Sequence, residues 1–132
     1  MTLLAAPRTI LAVDDGEGVC ELIEILLVRV GYHVLTATNG PAALRLADET
    51  PEIDLLICNL DLPDGDTFAV VARFALLHPA SSVVFLLSYA AAFPTTPPNA
   101  SLAKPFTIAQ LRDTVRRALQ ARPSLAETAQ AA

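Results

Sequence analysis

The sequence predicts one α/β domain with a parallel five-stranded sheet and helices on both of its faces. Strand-like apolar runs alternate five times with segments of helical periodicity, the fourth of which is interrupted by prolines. The connections between them are short, which favours right-handed βαβ units. Two of the runs, 55–58 and 83–87, are apolar throughout, as is typical of strands buried on both faces. A chain of 132 residues is long enough to form one such domain with its own core.

The first half of the chain contains two strand and helix pairs. A strand is predicted over 9–13, and apolar residues at helical spacing predict a helix that ends at Gly31. A second strand is predicted over 32–37. The turn sequence Asn39-Gly40-Pro41 then introduces a second helix, which ends at Thr50-Pro51.

The second half contains the central strand, 55–58, and a strand over 82–87. Between them a turn at 64–66 precedes a third helix, predicted from Phe68, Val71, Ala72, Ala75 and Leu76. The segment 89–99 has three prolines in five positions, so the fourth helix of the alternation is expected to be short or missing. A short strand over 100–103 and a closing helix from residue 108 complete the domain. We expect an N-terminal extension over 1–8, a domain over 9–121, and a flexible tail or linker stump over 122–132.

Composition argues against several classes of partner. The net charge is -5, so the phosphates of nucleic acid and of anionic lipid would meet like charge. No apolar run is long enough to span a bilayer, and no signal peptide is predicted, which indicates the cytoplasm. Cys20 and Cys58 lack metal-type spacing and are expected to be small buried hydrophobes. His33 and His78 are expected at the surface or at the edges of loops.

Polar side chains follow four of the five predicted strands. Asp14 and Asp15 follow the first strand, Asn59 the third, Ser88 the fourth and Lys104 the fifth. Taken alone, each could be a helix cap, a turn residue or a solvated lysine. In a parallel sheet, however, the carboxyl ends of the strands meet at one edge, so these residues are expected to converge on one mouth. Paired carboxylates of this kind suit magnesium.

Taken together, these residues resemble a response-regulator receiver domain, the flavodoxin-like phosphoacceptor module of two-component signalling. The resemblance rests on 10–15, on 54–65, on Ser88 and on Lys104-Pro105-Phe106. It implies a sheet in the order 2-1-3-4-5, a magnesium site at the acidic pair and the acceptor, and a phosphoryl group bound by the hydroxyl residue and the lysine. It also implies a cis peptide at Lys104-Pro105.

The sequence departs from this family at two functional positions. Counting back four residues from Pro63, the acceptor position is Asn59, and a carboxamide is a poor nucleophile towards phosphorus. Asp61 matches the position whose backbone carbonyl binds the metal, so a weak magnesium site would consist of Asp14, Asp15 and that carbonyl. The switch position, three residues before Lys104, is Ser101 and not an aromatic residue.

The leading hypothesis is therefore a receiver-like module that binds proteins without being phosphorylated and that contains no catalytic residue. A signalling protein, either a histidine kinase or an output domain, would be its partner, and a homodimer is left open. The alternative is an active phosphoacceptor that uses Asp61 or another residue. The third hypothesis is a flavodoxin-like binder of small molecules, which the absence of a Gly-rich loop and the few aromatic residues argue against.

Overall fold

The predicted parallel five-stranded sheet with helices on both faces is confirmed. The structure is a computed structural model that describes residues 6–88 and 101–121. Five parallel strands form one sheet in the order β2-β1-β3-β4-β5. The elements are, in chain order, β1 Thr9–Val13, α1 Glu17–Val30, β2 His33–Ala37, α2 Gly40–Glu49, β3 Leu55–Asn59, a 3-10 turn Pro63–Gly65, α3 Asp66–Leu77, β4 Ser82–Ser88, β5 Ser101–Lys104 and α4 Ile108–Ala121.

The core has two layers because each buried strand presents alternate residues to opposite faces of the sheet. One layer packs the sheet against α1 and α4 and includes Ile10, Ile57 and Leu86. The other packs it against α2 and α3 and includes Leu11 and Leu56. β1 and β3 contribute completely buried side chains to both layers. Hydrophobic burial on both faces therefore fixes the central strands, whose carboxyl ends carry the polar residues.

The ends of the first two helices follow their sequence signals. Gly31 has a φ of 113°, a left-handed conformation that glycine adopts without strain, and its N–H caps the carboxyl end of α1. Asn39 precedes α2, and its side-chain oxygen accepts a hydrogen bond of 2.8 Å from the N–H of Ala42.

Other predictions fall on parts of the chain outside the described residues. The helix expected to be short or missing after β4 would lie in 89–100, and the tail lies in 122–132. The fourth described helix, α4, is the predicted closing helix. The domain boundaries stay predictions. None of the four described helices has the length and apolar character needed to cross a membrane.

Two expectations about individual side chains need correction. His78 lies at the carboxyl end of α3, at the edge of a loop as expected, but it is buried at 8% exposure, because its ring packs against Phe74 and its Nε2 lies 3.0 Å from the carbonyl oxygen of Ala47. The third helix forms as predicted, but it turns Thr67, Val70 and Phe74 towards the core, and the residues that predicted it lie exposed or half-buried. His33 is exposed, and both cysteines are buried, as expected.

Candidate functional site

Four of the predicted polar residues lie at the carboxyl edge of the sheet, at positions whose side chains point to the same face. Successive side chains of a strand alternate between its two faces, so Asn59 points to the same face as Leu55 and Ile57. Those two residues pack in the layer of α1 and α4. By the same period of two, Asp14 follows Ile10 and Ala12, Ser88 follows Val84 and Leu86, and Lys104 follows Leu102. The pleat of the sheet therefore directs all four towards the same side of the mouth.

Asp14 and Lys104 form the charged half of the site. The Lys104 ammonium donates a hydrogen bond of 2.9 Å to Asp14 Oδ2, and Asp14 is only 2% exposed. The other oxygen, Oδ1, accepts a hydrogen bond of 2.8 Å from the Gly16 N–H, and a Cβ at position 16 would lie 3.2 Å from it. Both oxygens of this buried carboxylate are therefore satisfied, one of them by a cation.

Asn59, Asp15 and Asp61 form the amide half. The Asn59 side chain is buried, and its Nδ2 donates a hydrogen bond of 2.9 Å to Asp15 Oδ1. Its Oδ1 accepts a hydrogen bond of 3.1 Å from the Asp61 backbone N–H. Only this orientation of the amide pairs a donor with the carboxylate and an acceptor with the N–H. Asn59 thus links the end of β1 to the loop after β3, while Asp15 and Asp61 are exposed.

Thr67, in the first turn of α3, holds the loop that follows Asn59. Its buried hydroxyl donates towards the backbone carbonyl oxygens of Asn59 and Leu60, at 2.8 and 3.0 Å, and accepts from the Leu62 N–H at 3.2 Å. Sequence reasoning missed this residue. The available signal was a hydroxyl residue at the start of a predicted helix, just after the Asp64-Gly65-Asp66 turn, where such side chains often bond to nearby backbone.

Ser88 lies beside the charged half, whereas Ser101 does not. Ser88 is the register partner of Lys104 in the parallel pair of β4 and β5. Both residues line a cavity of about 460 Å³, whose other walls are Val19, Leu22, Pro105 and Phe106. Ser101 lies at the opposite end of β5, and its side chain points to the other face of the sheet. The described mouth therefore does not include Ser101. The Lys104-Pro105 peptide is cis, as the resemblance implied.

The two cysteines lie close to the acidic residues but are chemically protected. Burial raises the pKa of the Cys58 thiol to about 12, and the charge of Asp14 adds to the effect. Burial also raises the pKa of Cys20, whose Sγ lies 3.3 Å from the backbone oxygen of Asp14. Thiols of this kind stay protonated at neutral pH and are poor nucleophiles and poor metal ligands.

The arranged donors do not fit magnesium well. Asp14 already accepts from Lys104 and Gly16, and one oxygen of Asp15 accepts from Asn59. In residues 6–88 and 101–121, no group of three or more His, Cys, Asp or Glu residues is placed to hold a metal. Magnesium is usually held by one or two carboxylates together with several waters, so an ion that used both oxygens of Asp14 would have to displace the hydrogen bond from Lys104 or from Gly16.

Residues 10–116 match the family described as response regulator receiver domain. The chain is 30% identical over 83 residues to the transcriptional regulatory protein GlrR of Escherichia coli, a match that covers 63% of this chain and 18% of that protein. It is 41% identical over 63 residues to the alkaline phosphatase synthesis transcriptional regulatory protein PhoP of Bacillus subtilis, covering 48% of this chain and 26% of PhoP. The chain thus corresponds to less than a third of either relative.

Solved structures agree with this match. A response regulator receiver protein from Sinorhizobium medicae superposes with a TM-score of 0.76 at 27% identity, covering 89% of this chain and 98% of that one. The signal receiver domain of an HD domain-containing protein from Pseudomonas fluorescens gives a TM-score of 0.73 at 26% identity, covering 86% and 95%. The likeness therefore extends over nearly the whole length of each domain.

Proposed function

The chain belongs to the response regulator receiver domain family, and we propose that it serves two-component signalling by docking to a partner without being phosphorylated. Receiver domains are signalling modules and not enzymes. The proposal concerns what this member does at the position where, by resemblance, an aspartate would accept the phosphoryl group. That position is Asn59.

The observation that carries the proposal is the pair of hydrogen bonds made by the Asn59 amide. Its NH₂ group binds Asp15, and its oxygen binds the Asp61 N–H. In a magnesium-dependent site, a cation would hold the neighbouring carboxylates together. Here the amide protons meet one carboxylate, and the Lys104 ammonium meets the other. The mouth is therefore stabilised by its own donors and does not depend on a metal.

The chemistry of the amide supports the same conclusion. A carboxamide nitrogen shares its lone pair with the carbonyl group, and the carbonyl oxygen is a weak nucleophile, so neither attacks phosphorus as a carboxylate does. The loop after β3 is also bound by the buried hydroxyl of Thr67, which stabilises the observed arrangement. We infer that the partner recognises this one arrangement, and that the domain does not alternate between phosphorylated and free states.

Incubation with a small phosphoryl donor and magnesium tests the proposal, with intact mass as the measurement. We expect no adduct of about 80 Da that is lost on hydroxylamine treatment, the behaviour of an acyl phosphate. An established active receiver treated in parallel must gain the adduct. A labile adduct on the wild-type chain would refute the proposal.

The main alternative is an active receiver that uses Asp61, and the same experiment separates it. Asp61 is exposed, and its backbone N–H is bound to Asn59. If an adduct forms on the wild-type chain and disappears in Asp61→Asn, Asp61 is the acceptor. An adduct that persists in Asp61→Asn identifies another residue and still contradicts the docking proposal.

The kind of partner and the compartment are further proposals. We propose a histidine kinase or an output domain as the partner, because two-component signalling links such proteins. We propose the cytoplasm as the compartment. If the protein binds a small molecule, the candidate site is the cavity of about 460 Å³ beside Ser88 and Lys104. An ultraviolet-visible spectrum of the purified protein would reveal a bound flavin and so contradict a pure docking function.

A further inference from the structure

The end of α1 and the first half of α4 enclose a groove on the surface of the domain, which we call the α1/α4 groove. Two adjoining cavities of about 420 and 310 Å³ form it, and Val30 and Arg112 line both of them. Its apolar walls are Leu26, Val30 and Tyr32 on one side and Ile108 and Ala109 on the other. Val30 is 42% exposed and Ile108 is 55% exposed, so apolar surface in the groove is open to a partner.

The charges that border the α1/α4 groove are mostly positive. Arg29, Arg112 and Arg116 line it, and Asp113 is the one acidic residue among its described lining residues. Asp113 is already paired with Arg116 at 3.0 Å. Within residues 6–88 and 101–121, neither Arg29 nor Arg112 forms an ion pair. The groove is therefore a local positive site on a chain whose net charge is -5.

The positions of these arginines on α4 do not favour the helix itself. Ile108, Arg112 and Arg116 follow one another at intervals of four residues, so their side chains lie along one face of the helix. Two like charges four residues apart repel and destabilise a helix. Asp113 offsets the charge of Arg116 but leaves that of Arg112 unpaired. An anionic partner in the groove would remove this repulsion.

We propose that the α1/α4 groove binds an acidic amphipathic helix of a partner protein. Its apolar side chains would pack on Val30 and Ile108, and its carboxylates would pair with Arg29 and Arg112. From Ile108 to Arg116 the groove is about 12 Å long, which suits apolar anchors at positions i, i+3 or i+4, and i+7 of a bound helix. The inference rests on the proposed docking function, for which it names the surface and the kind of partner.

The charges and the shape of the groove disfavour other occupants. A second copy bound in two-fold symmetry through this groove would bring the same arginines against one another. Nucleic acid and anionic membranes would meet the net charge of -5. A flat membrane surface also does not reach into a concave groove between two helices. The acidic helix is the occupant that matches both the apolar walls and the unpaired arginines.

A designed peptide of about 18 residues is the first probe, since shorter isolated helices are marginal in water. It has leucines at i, i+3, i+4 and i+7 and glutamates beside them, and its binding to the full chain is measured by fluorescence anisotropy. We expect a dissociation constant on the order of 10–100 µM, weakened roughly tenfold or more when lysines replace the glutamates. Failure of the acidic peptide to bind at about 1 mM, or equal binding of the lysine peptide, would overturn the proposal.

Arg112→Glu is the second test, with Arg45→Glu as its matched control. Both arginines are exposed on helices, and both substitutions change the net charge equally, but Arg45 belongs to α2, which packs on the other face of the sheet. Arg112→Glu should weaken the acidic peptide roughly tenfold and strengthen the lysine peptide, a gain that misfolding cannot produce. Arg45→Glu should change neither. Equal effects of the two variants would contradict the groove as the binding site.

Amide chemical shifts of the wild-type chain locate the bound peptide. We expect the largest changes at the end of α1 and the first half of α4. Changes centred elsewhere, or displacement of the peptide by phosphatidylglycerol vesicles, would overturn the proposal. A labile phosphoryl adduct with intact peptide binding would refute the proposed function and leave the groove standing. Loss of peptide binding without an adduct would refute only this inference.

Discussion

The two halves of the polar mouth each stabilise a carboxylate, but they do so with different donors. In the charged half, the buried Asp14 carboxylate is balanced by a full positive charge on Lys104 at 2.9 Å. In the amide half, the exposed Asp15 carboxylate is bound by the neutral Asn59 at the same distance of 2.9 Å. A buried anion needs a cation, whereas a solvated anion needs only a hydrogen-bond donor.

This difference shows where the stability of the site lies. The ion pair joins β1 to β5 across the mouth, and removing Lys104 leaves the Asp14 carboxylate in a site that water hardly reaches. The amide joins the Asp15 carboxylate, just after β1, to the Asp61 N–H in the loop after β3, and Asp15 is exposed, so water can replace a lost donor on its carboxylate. We therefore expect substitutions in the charged half to change the free energy of unfolding most. Substitutions at Asn59 should change magnesium affinity most.

Lys104→Met should give the largest effect. It removes the cation and keeps most of the apolar side chain, so Asp14 is left buried with only the Gly16 N–H on one oxygen. We expect the free energy of unfolding to fall by about 2–4 kcal/mol, because one partner of a buried pair is lost while the partial exposure of Lys104 moderates the cost. Urea denaturation measures this change.

The control for Lys104→Met is the double variant with Asp14→Asn. Removing the carboxylate charge as well should recover part of the lost stability, since the uncompensated anion is then gone. A loss below about 0.5 kcal/mol for Lys104→Met, the range of surface pairs, would show that the two halves do not differ as described.

Thr67→Val should give an intermediate effect in the loop that supports the amide half. Valine keeps the shape of threonine but cannot accept from the Leu62 N–H or donate to the carbonyl groups of Asn59 and Leu60. We expect a loss of about 1–3 kcal/mol in the free energy of unfolding, the cost of leaving buried backbone groups unsatisfied. Thr67→Ser keeps the hydroxyl and should lose clearly less. Equal losses would show that packing, and not hydrogen bonding, holds the loop.

The smallest effect is expected from the Cys58 thiol, which lies next to the charged half. Its pKa in the folded protein is about 12, above the ordinary value of 9.0, so its contribution to stability is complete below pH 9 and is lost as the pH rises towards 12. At pH 10 the wild-type chain should have lost about 1.4 kcal/mol through this group. Cys58→Ala should lack this component. The same pH dependence in both proteins would contradict the assignment.

The sheet and its polar edge could be predicted from the sequence because they follow from periodicity. Strands buried on both faces give unbroken apolar runs such as 55–58, and parallel strands bring their carboxyl ends together. These two rules, with the resemblance, predict from the sequence alone that Asp14, Asn59 and Lys104 share one mouth. The strand order itself came from the resemblance.

Side-chain bonding and helix orientation could not be predicted in the same way. Asn59 was expected to weaken a metal site, but its hydrogen bond to Asp15 depends on the angle at which β1 and β3 end, which periodicity does not give. In α3, where nine of twelve residues are apolar, several faces could have been buried. The observed face contains Thr67 because its hydroxyl bonds to the β3 loop. The burial of His78 cannot be predicted from the sequence, because the carbonyl group that bonds to its ring belongs to the distant Ala47.

The central claim is that the amide of Asn59 takes the place of both the reactive carboxylate and the metal. The most direct measurement is a magnesium titration of the wild-type chain and of Asn59→Asp. Binding is detected by calorimetry or by the change in chemical shift of the Asp61 N–H. Adding one negative charge between Asp15 and Asp61 should raise magnesium affinity by roughly tenfold or more, while the wild-type chain binds the ion only weakly. Equal affinity in the two proteins would contradict the claim.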